Sequence, residues 1–128
     1  MHSATILIVE DDPIISSLIE IRLKKLGFSV CGKAKNEAET MECVQSQFPD
    51  VILMDIALED GNDGVELARK ILGIRDVPVI YLTANGDNET LMRAAESHPQ
   101  GFIMKPFRDD DLRISIELAL CNHPRRPD

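Results

Sequence analysis

The run Val51-Ile52-Leu53-Met54 goes straight into one carboxylate, Asp55, and this short stretch, entered from Pro49-Asp50, constrains the chain more than any other. Apolar residues at consecutive positions put side chains on both sides of a strand, as in a parallel sheet covered by helices on both faces. Asp55 then stands at the strand's carboxyl end. Open parallel sheets bind their ligands at that edge, but an aspartate there also caps helices and turns, so the rest of the chain decides its role.

Other segments repeat the pattern. Thr5 to Val9 is β-branched and apolar and closes on Glu10-Asp11-Asp12 before Pro13. Asp12-Pro13 reads as an N-cap followed by proline in the first turn, so a helix starts there. Ile15, Ile19, Leu23 and Leu26 recur at helical spacing with Leu18 beside them, and Gly27 marks the stop. Phe28 to Ala34 alternates weakly and contains Gly32, as a strand near a sheet edge does. Asn36 caps a second helix in which Ala38, Met41, Val44 and Phe48 are expected to share a face, and Pro49 ends it. After Asp55 comes the turn-rich Glu59-Asp60-Gly61-Asn62-Asp63-Gly64, then a short helix from Val65 to Leu72 with Ala68, Ile71 and Leu72 inward. Pro78 to Leu82 forms a fourth strand ending at Thr83, Asp87 to Ser97 a weaker helix, and Gly101 to Met104 a fifth strand ending at Lys105-Pro106. A last helix runs from about Asp109 to Cys121, with Asp109, Asp110 and Asp111 at its positive end. Five strands alternating with five helices predict an α/β fold, a doubly wound (βα)5 parallel sheet of the flavodoxin-like kind.

Composition narrows the function. At 128 residues, with 44% hydrophobic and 28% charged residues, the chain fits one domain, with a core of about 5–122 and a tail at 123–128. No apolar run reaches membrane-spanning length and the first residues carry no secretory pattern, which predicts a cytoplasmic protein without membrane contact. Cys31, Cys43 and Cys121 include no CxxC pair and read as buried or half-buried free thiols. A net charge of -8 argues against direct nucleic-acid binding and for a protein partner.

In such a sheet Glu10-Asp11, Asp55, Thr83 and Lys105 arrive at one edge. Each alone has a mundane explanation, as a solvated carboxylate, a helix cap or a surface charge, but together they converge. Three clustered carboxylates repel one another and raise each other's pKa unless a cation compensates them. Oxygen-only ligands at a wet site favour Mg²⁺. Lys105 can then pair with an anion carried by Asp55, and the Thr83 hydroxyl can hydrogen-bond to it.

As a set, the acidic pair, the aspartate, the threonine and the Lys-Pro resemble the receiver domain of two-component response regulators, over roughly residues 5–122. The resemblance implies that Asp55 is the phosphoacceptor, taking a phosphoryl group from a histidine kinase or histidine phosphotransfer protein. It implies Mg²⁺ held directly by Asp11 and Asp55, through water by Glu10, and by the backbone carbonyl of Ala57. Thr83 and Phe102 match the family's switch pair, and Lys105-Pro106 its lysine before a cis-proline. The output surface would be the fourth helix, fifth strand and fifth helix, controlling a downstream protein or a phosphorylation-dependent homodimer. Such a domain takes part in its own phosphorylation and dephosphorylation without independent substrate turnover, so it is not expected to be an enzyme. Glu59 replaces the usual proline four residues after the aspartate, the loop to Asp63-Gly64 looks one residue longer than the commonest form, and Ala57 offers no side chain to position water.

Three alternatives stand beside this reading. An aspartate-based Mg²⁺ phosphatase of the haloacid dehalogenase type would want a second Asp where Ala57 stands. A flavodoxin-like cofactor binder would want a Ser/Thr/Gly-rich phosphate loop where Glu10 and Asp11 stand. A pseudo-receiver would bind partners without phosphorylation. The last helix carries a final expectation: Leu112, Ile116, Ala119 and Leu120 face the sheet, while Ile114, Leu118 and Cys121 form a second, outward stripe.

Overall fold

The computed structural model describes residues 4–56, 64–83 and 88–122, with side chains at all of these except 88–91. Its elements are β1 (Thr5–Val9), α1 (Pro13–Lys25), β2 (Ser29–Ala34), α2 (Glu37–Gln47), β3 (Val51–Asp55), α3 (Gly64–Leu72), β4 (Val79–Thr83), α4 (Asn88–Ala95), β5 (Gly101–Met104) and α5 (Asp109–Asn122). The strands lie in the order β2-β1-β3-β4-β5, and every neighbouring pair is parallel. The chain steps from β1 outward to β2, then returns to the other side of β1 to lay down β3. That reversal opens a crevice outside the carboxyl ends of β1 and β3. Among the described residues, no helix is long and apolar enough to cross a membrane.

Strand periodicity distributes the core between two helical layers. Ile6, Ile8, Val51, Leu53, Ile80 and Leu82 pack with Ile19 and Leu23 of α1 and with Leu112, Ile116 and Ala119 of α5. Leu7, Val9, Ile52, Met54 and Tyr81 pack with Val44 of α2, with Val65, Ala68 and Ile71 of α3, and with Ala94 of α4. Val51 through Met54 are each 0% exposed, so β3 anchors both layers, at about 1.5–3 kcal/mol for each large aliphatic side chain removed from water. In β2 the register shifts between Ile6 and Leu7, leaving Cys31 outside the pairing, and Cys31 packs towards α2 with Cys43. This bulge explains the weak alternation of that strand.

Local chemistry sets the helix ends. Asp12 accepts from the N–H of Ile14 at 2.9 Å and of Ile15 at 3.4 Å, and Pro13 opens α1 where no donor is needed. Gly27 follows the C-cap Leu26 at φ 97°, a conformation open to glycine at no steric cost. The Asn36 side chain accepts from the Glu39 N–H at 2.9 Å, as a cap should.

Several expected orientations are corrected. Leu18 does not join the inward face of α1: it is 55% exposed, while Ser16, Ile19 and Leu23 are buried. One residue before Ile19 is about 100° around the helix, which carries Leu18 off the sheet. Ala38 and Phe48 leave the face assigned to α2, where Thr40 and Val44 are the buried residues. Phe48 is the C-cap, at φ 50°, and this left-handed turn swings its ring outward, where the Arg75 guanidinium lies 4.0 Å over it. Leu72 is half-buried, and Val65 and Leu67 complete the inward face of α3 with Ala68 and Ile71. Cys31 and Cys43 are half-buried, but Cys121 is exposed on the outer face of α5. On that helix both stripes fall as expected, with Leu112, Ile116 and Ala119 buried and with Ile114 and Leu118 exposed.

Candidate functional site

β1 delivers the first two acidic groups. The Glu10 N–H donates to the Ala34 carbonyl at 3.0 Å, so the ladder with β2 continues one residue past β1 and holds Glu10 down in the sheet, 3% exposed. Asp11 follows, half-buried, and the chain then turns into α1 through the Asp12 cap. Asp55 is the last residue of β3 and is also buried. Oxygens of Glu10, Asp11 and Asp55 all lie within 4.8 Å of one another.

β5 supplies the opposing charge. The Lys105 N–H donates to the Thr83 carbonyl at 2.8 Å, which continues the β4–β5 ladder, and the Lys105-Pro106 bond is cis. The Lys105 ammonium reaches across to Glu10 Oε1 at 3.4 Å and Asp55 Oδ2 at 3.6 Å. The segment after it is tied to α1: Arg22 donates to the Phe107 carbonyl at 2.8 Å, its guanidinium lies 5.2 Å from the Phe107 ring, and Asp109 sits 3.7 Å from both Arg22 and Lys25. Opposite edges of the site are thereby braced. Thr83 ends β4 and is buried, 6% exposed.

α3 begins against the strand end. The Gly64 N–H donates to the Ile56 carbonyl at 3.0 Å. A Cβ at Gly64 would overlap the Asp55 carbonyl oxygen and come within 2.9 Å of Ile56 Cα. Both are backbone atoms that cannot swing aside, so only glycine lets this helix start so close to Asp55.

The electrostatics follow from crowding. Burial first, and the neighbouring Asp55 carboxylate second, push the Glu10 carboxyl up from 4.5 to about 7, against the opposing pull of the Asp12 N–H and the Lys105 ammonium. The Lys105 ammonium meets two of these three carboxylates, Glu10 and Asp55, in a largely buried place. The donors are all oxygen, hard and close together, and this set suits a small hard divalent cation such as Mg²⁺.

The sequence-predicted residues are thus brought together at one edge, with two qualifications. Ala57 and the rest of 57–63, including Glu59, lie outside the described residues. Phe102 sits in β5, 37% exposed, with its ring centroid 5.7 Å from that of Tyr81. Sequence reasoning did not find Tyr81 or Ser97, whose hydroxyls lie 2.7 Å apart in the interior. A tyrosine in an otherwise aliphatic strand was the available signal, since a buried phenol needs a partner.

Known proteins resemble this chain in sequence and fold. The family model described as the response regulator receiver domain matches residues 6–117. The transcriptional regulatory protein PdtaR of Mycobacterium tuberculosis is 30% identical over 115 residues, covering 90% of this chain and 56% of that protein. The phyllosphere-induced regulator PhyR of Methylorubrum extorquens is 34% identical over 116 residues, covering 90% of this chain and 43% of that protein. The chain spans about half the length of the curated relatives it matches. Among solved structures, the signal receiver domain of a modulated diguanylate cyclase from Desulfovibrio desulfuricans superposes with a TM-score of 0.88 at 35% identity, over 95% of this chain and 97% of that one. With the acidic cluster, the strand order and these relatives in agreement, the chain belongs to the response regulator receiver domain family.

Proposed function

We propose that Asp55 accepts a phosphoryl group from a phosphohistidine on a histidine kinase or histidine phosphotransfer protein in the cytoplasm, and that this modification switches the surface around β5. The observation that carries the reading is the carboxylate cluster of buried Glu10 and Asp55 with half-buried Asp11, and Lys105 bridging two of its members. An Asp55 oxygen forms a bond to phosphorus as the bond between phosphorus and the donor's imidazole nitrogen breaks. Asp11 and Asp55 directly, Glu10 through water, and the Ala57 carbonyl would hold Mg²⁺, which supplies positive charge to the phosphoryl oxygens. Lys105 adds a fixed cation at the same place, and as an ammonium it can follow the new charge. The Thr83 hydroxyl then bonds to the phosphoryl group, and Phe102 moves inward behind it.

Two surface features support the partners. Ile14, Leu18 and Ile21 are 71%, 55% and 62% exposed and follow one another along α1 at helical spacing, beginning beside Glu10-Asp11. This stripe suits the docking of a phosphodonor whose histidine must reach Asp55. Met104 of the edge strand β5, and Ile114 and Leu118 of α5, which packs on β5, are 54%, 47% and 55% exposed, and a downstream protein or a second copy would bind there.

Incubation with acetyl phosphate and Mg²⁺, followed by intact mass, tests the reading. Wild type should gain one phosphoryl group and Asp55→Asn none, while the variant keeps its fold because the amide preserves volume. Full labelling of Asp55→Asn would remove the assignment. Wild type that takes no label would favour a module that binds partners without phosphorylation.

A further inference from the structure

The carboxyl end of α4 is held by hydrogen bonds rather than by apolar burial. Among the described side chains of α4, Ala94 is buried while Met92, Arg93 and Ala95 are exposed, so this part of the helix removes little apolar surface from water. Just beyond the helix, Ser97 is 7% exposed and its hydroxyl donates to the Ala94 carbonyl at 2.6 Å. A serine hydroxyl has one hydrogen, so at 2.7 Å the Tyr81 hydroxyl must be the donor to Ser97 Oγ. The result is a directed chain from β4 through Ser97 to the last turn of α4. Tyr81 is 0% exposed, and its ring also meets Phe102 at 5.7 Å with an interplanar angle of 33°.

We propose that Tyr81 is a positioning residue for the switch: its hydroxyl anchors the carboxyl end of α4 through Ser97, and its ring passes movement of Phe102 to that anchor. The proposal rests on the phosphorylation of Asp55 argued above. Phe102 cannot move inward without disturbing the ring it touches. A buried phenol has little room to shift without stretching its bond to Ser97, because protein interiors are close-packed. The turn beyond α4 reads that strain directly, since the N–H groups of Glu96, Ser97 and His98 close it onto the carbonyls of Met92, Ala94 and Ala95. Two discrete arrangements of Phe102 then give two positions of the α4 end.

Tyr81→Phe removes the donor, keeps the ring, and leaves Ser97 bonded to Ala94. In the unphosphorylated protein, the amides of residues 96–98 should exchange hydrogen about fivefold faster than in wild type, the factor carried by a single net hydrogen bond. With acetyl phosphate and Mg²⁺, wild type should show shifted NMR signals both at Phe102 and at residues 96–98. The variant should keep full labelling of Asp55 and the Phe102 shift, but lose at least half of the response at 96–98. A purely structural role would leave that response in proportion to the Phe102 shift, and such a result overturns the proposal, as does unchanged exchange. Should Tyr81→Phe fail to fold, Ser97→Ala removes the acceptor while keeping the contact between the rings, and the same two readings apply. Wild type that takes no label overturns the coupling along with the Asp55 reading, while the exchange arm still decides whether Tyr81 anchors α4.

Discussion

Replacing Glu10 with Gln should stabilise the metal-free protein at neutral and alkaline pH. The Glu10 carboxyl is moved from 4.5 to about 7 by burial and by Asp55, so the native state favours its protonated form. The raised value fixes the sign: between 4.5 and about 7 the native state binds more protons than the unfolded chain. Stability from this group is therefore complete below its unfolded value and is lost as pH rises through its native one. At about 1.4 kcal/mol per pH unit the loss is about 3 kcal/mol, which is about 10 °C in melting temperature for a chain of this size. A neutral amide does not titrate, and Lys105 keeps its pairing with Asp55 at 3.6 Å. The assay is thermal or urea unfolding of wild type and Glu10→Gln in EDTA from pH 4.5 to 8. The advantage of the variant should grow by about 3 kcal/mol across that range, a comparison in which groups that do not interact with Glu10 cancel, so that it reads Glu10 together with its neighbour Asp55. Saturating Mg²⁺ should shrink the advantage by binding the native wild type. A difference that changes by less than about 1 kcal/mol over the range would show that Glu10 titrates as an ordinary carboxyl and is not crowded.

Leu118→Glu should leave Asp55 labelling intact but weaken phosphorylation-dependent self-association or partner binding, because it puts a charge into an exposed apolar stripe with Ile114; sedimentation with and without acetyl phosphate and Mg²⁺ checks self-association, and identical behaviour removes the dimer reading. Gly64→Ala should cost about 1–3 kcal/mol in urea unfolding, because the added Cβ meets the backbone of Asp55 and Ile56; it should also slow labelling by displacing Asp55, and a neutral effect on both would mean that α3 can shift freely. Asp12→Ala should cost about 1 kcal/mol through loss of the N-cap to Ile14 and Ile15 without abolishing labelling, as melting and intact mass will show.

The sequence by itself determined the elements and the edge of the sheet at which polar groups gather. Val51 to Asp55 could be read because a strand buried on both faces is apolar at every position, and α1 because Asp12-Pro13 and Gly27 act within one turn of themselves. Those signals are local, so they survive without knowledge of neighbours. The same locality misled the placement of Leu18 and Phe48, where hydrophobicity predicts burial but helix phase and a left-handed cap decide it. Only the tertiary structure separated Glu10 from Asp11. Both are acidic and adjacent, but the β1–β2 ladder extends to Glu10 and sinks it beside Asp55, which raises its carboxyl to about 7. The strand order β2-β1-β3-β4-β5 likewise depends on long-range pairing, and it sets β1 beside β3 so that residues 45 positions apart share one charge cluster. The Tyr81–Ser97 bond belongs to the same class: each hydroxyl alone is unremarked polarity, and their meeting exists only because the end of α4 folds back over β4.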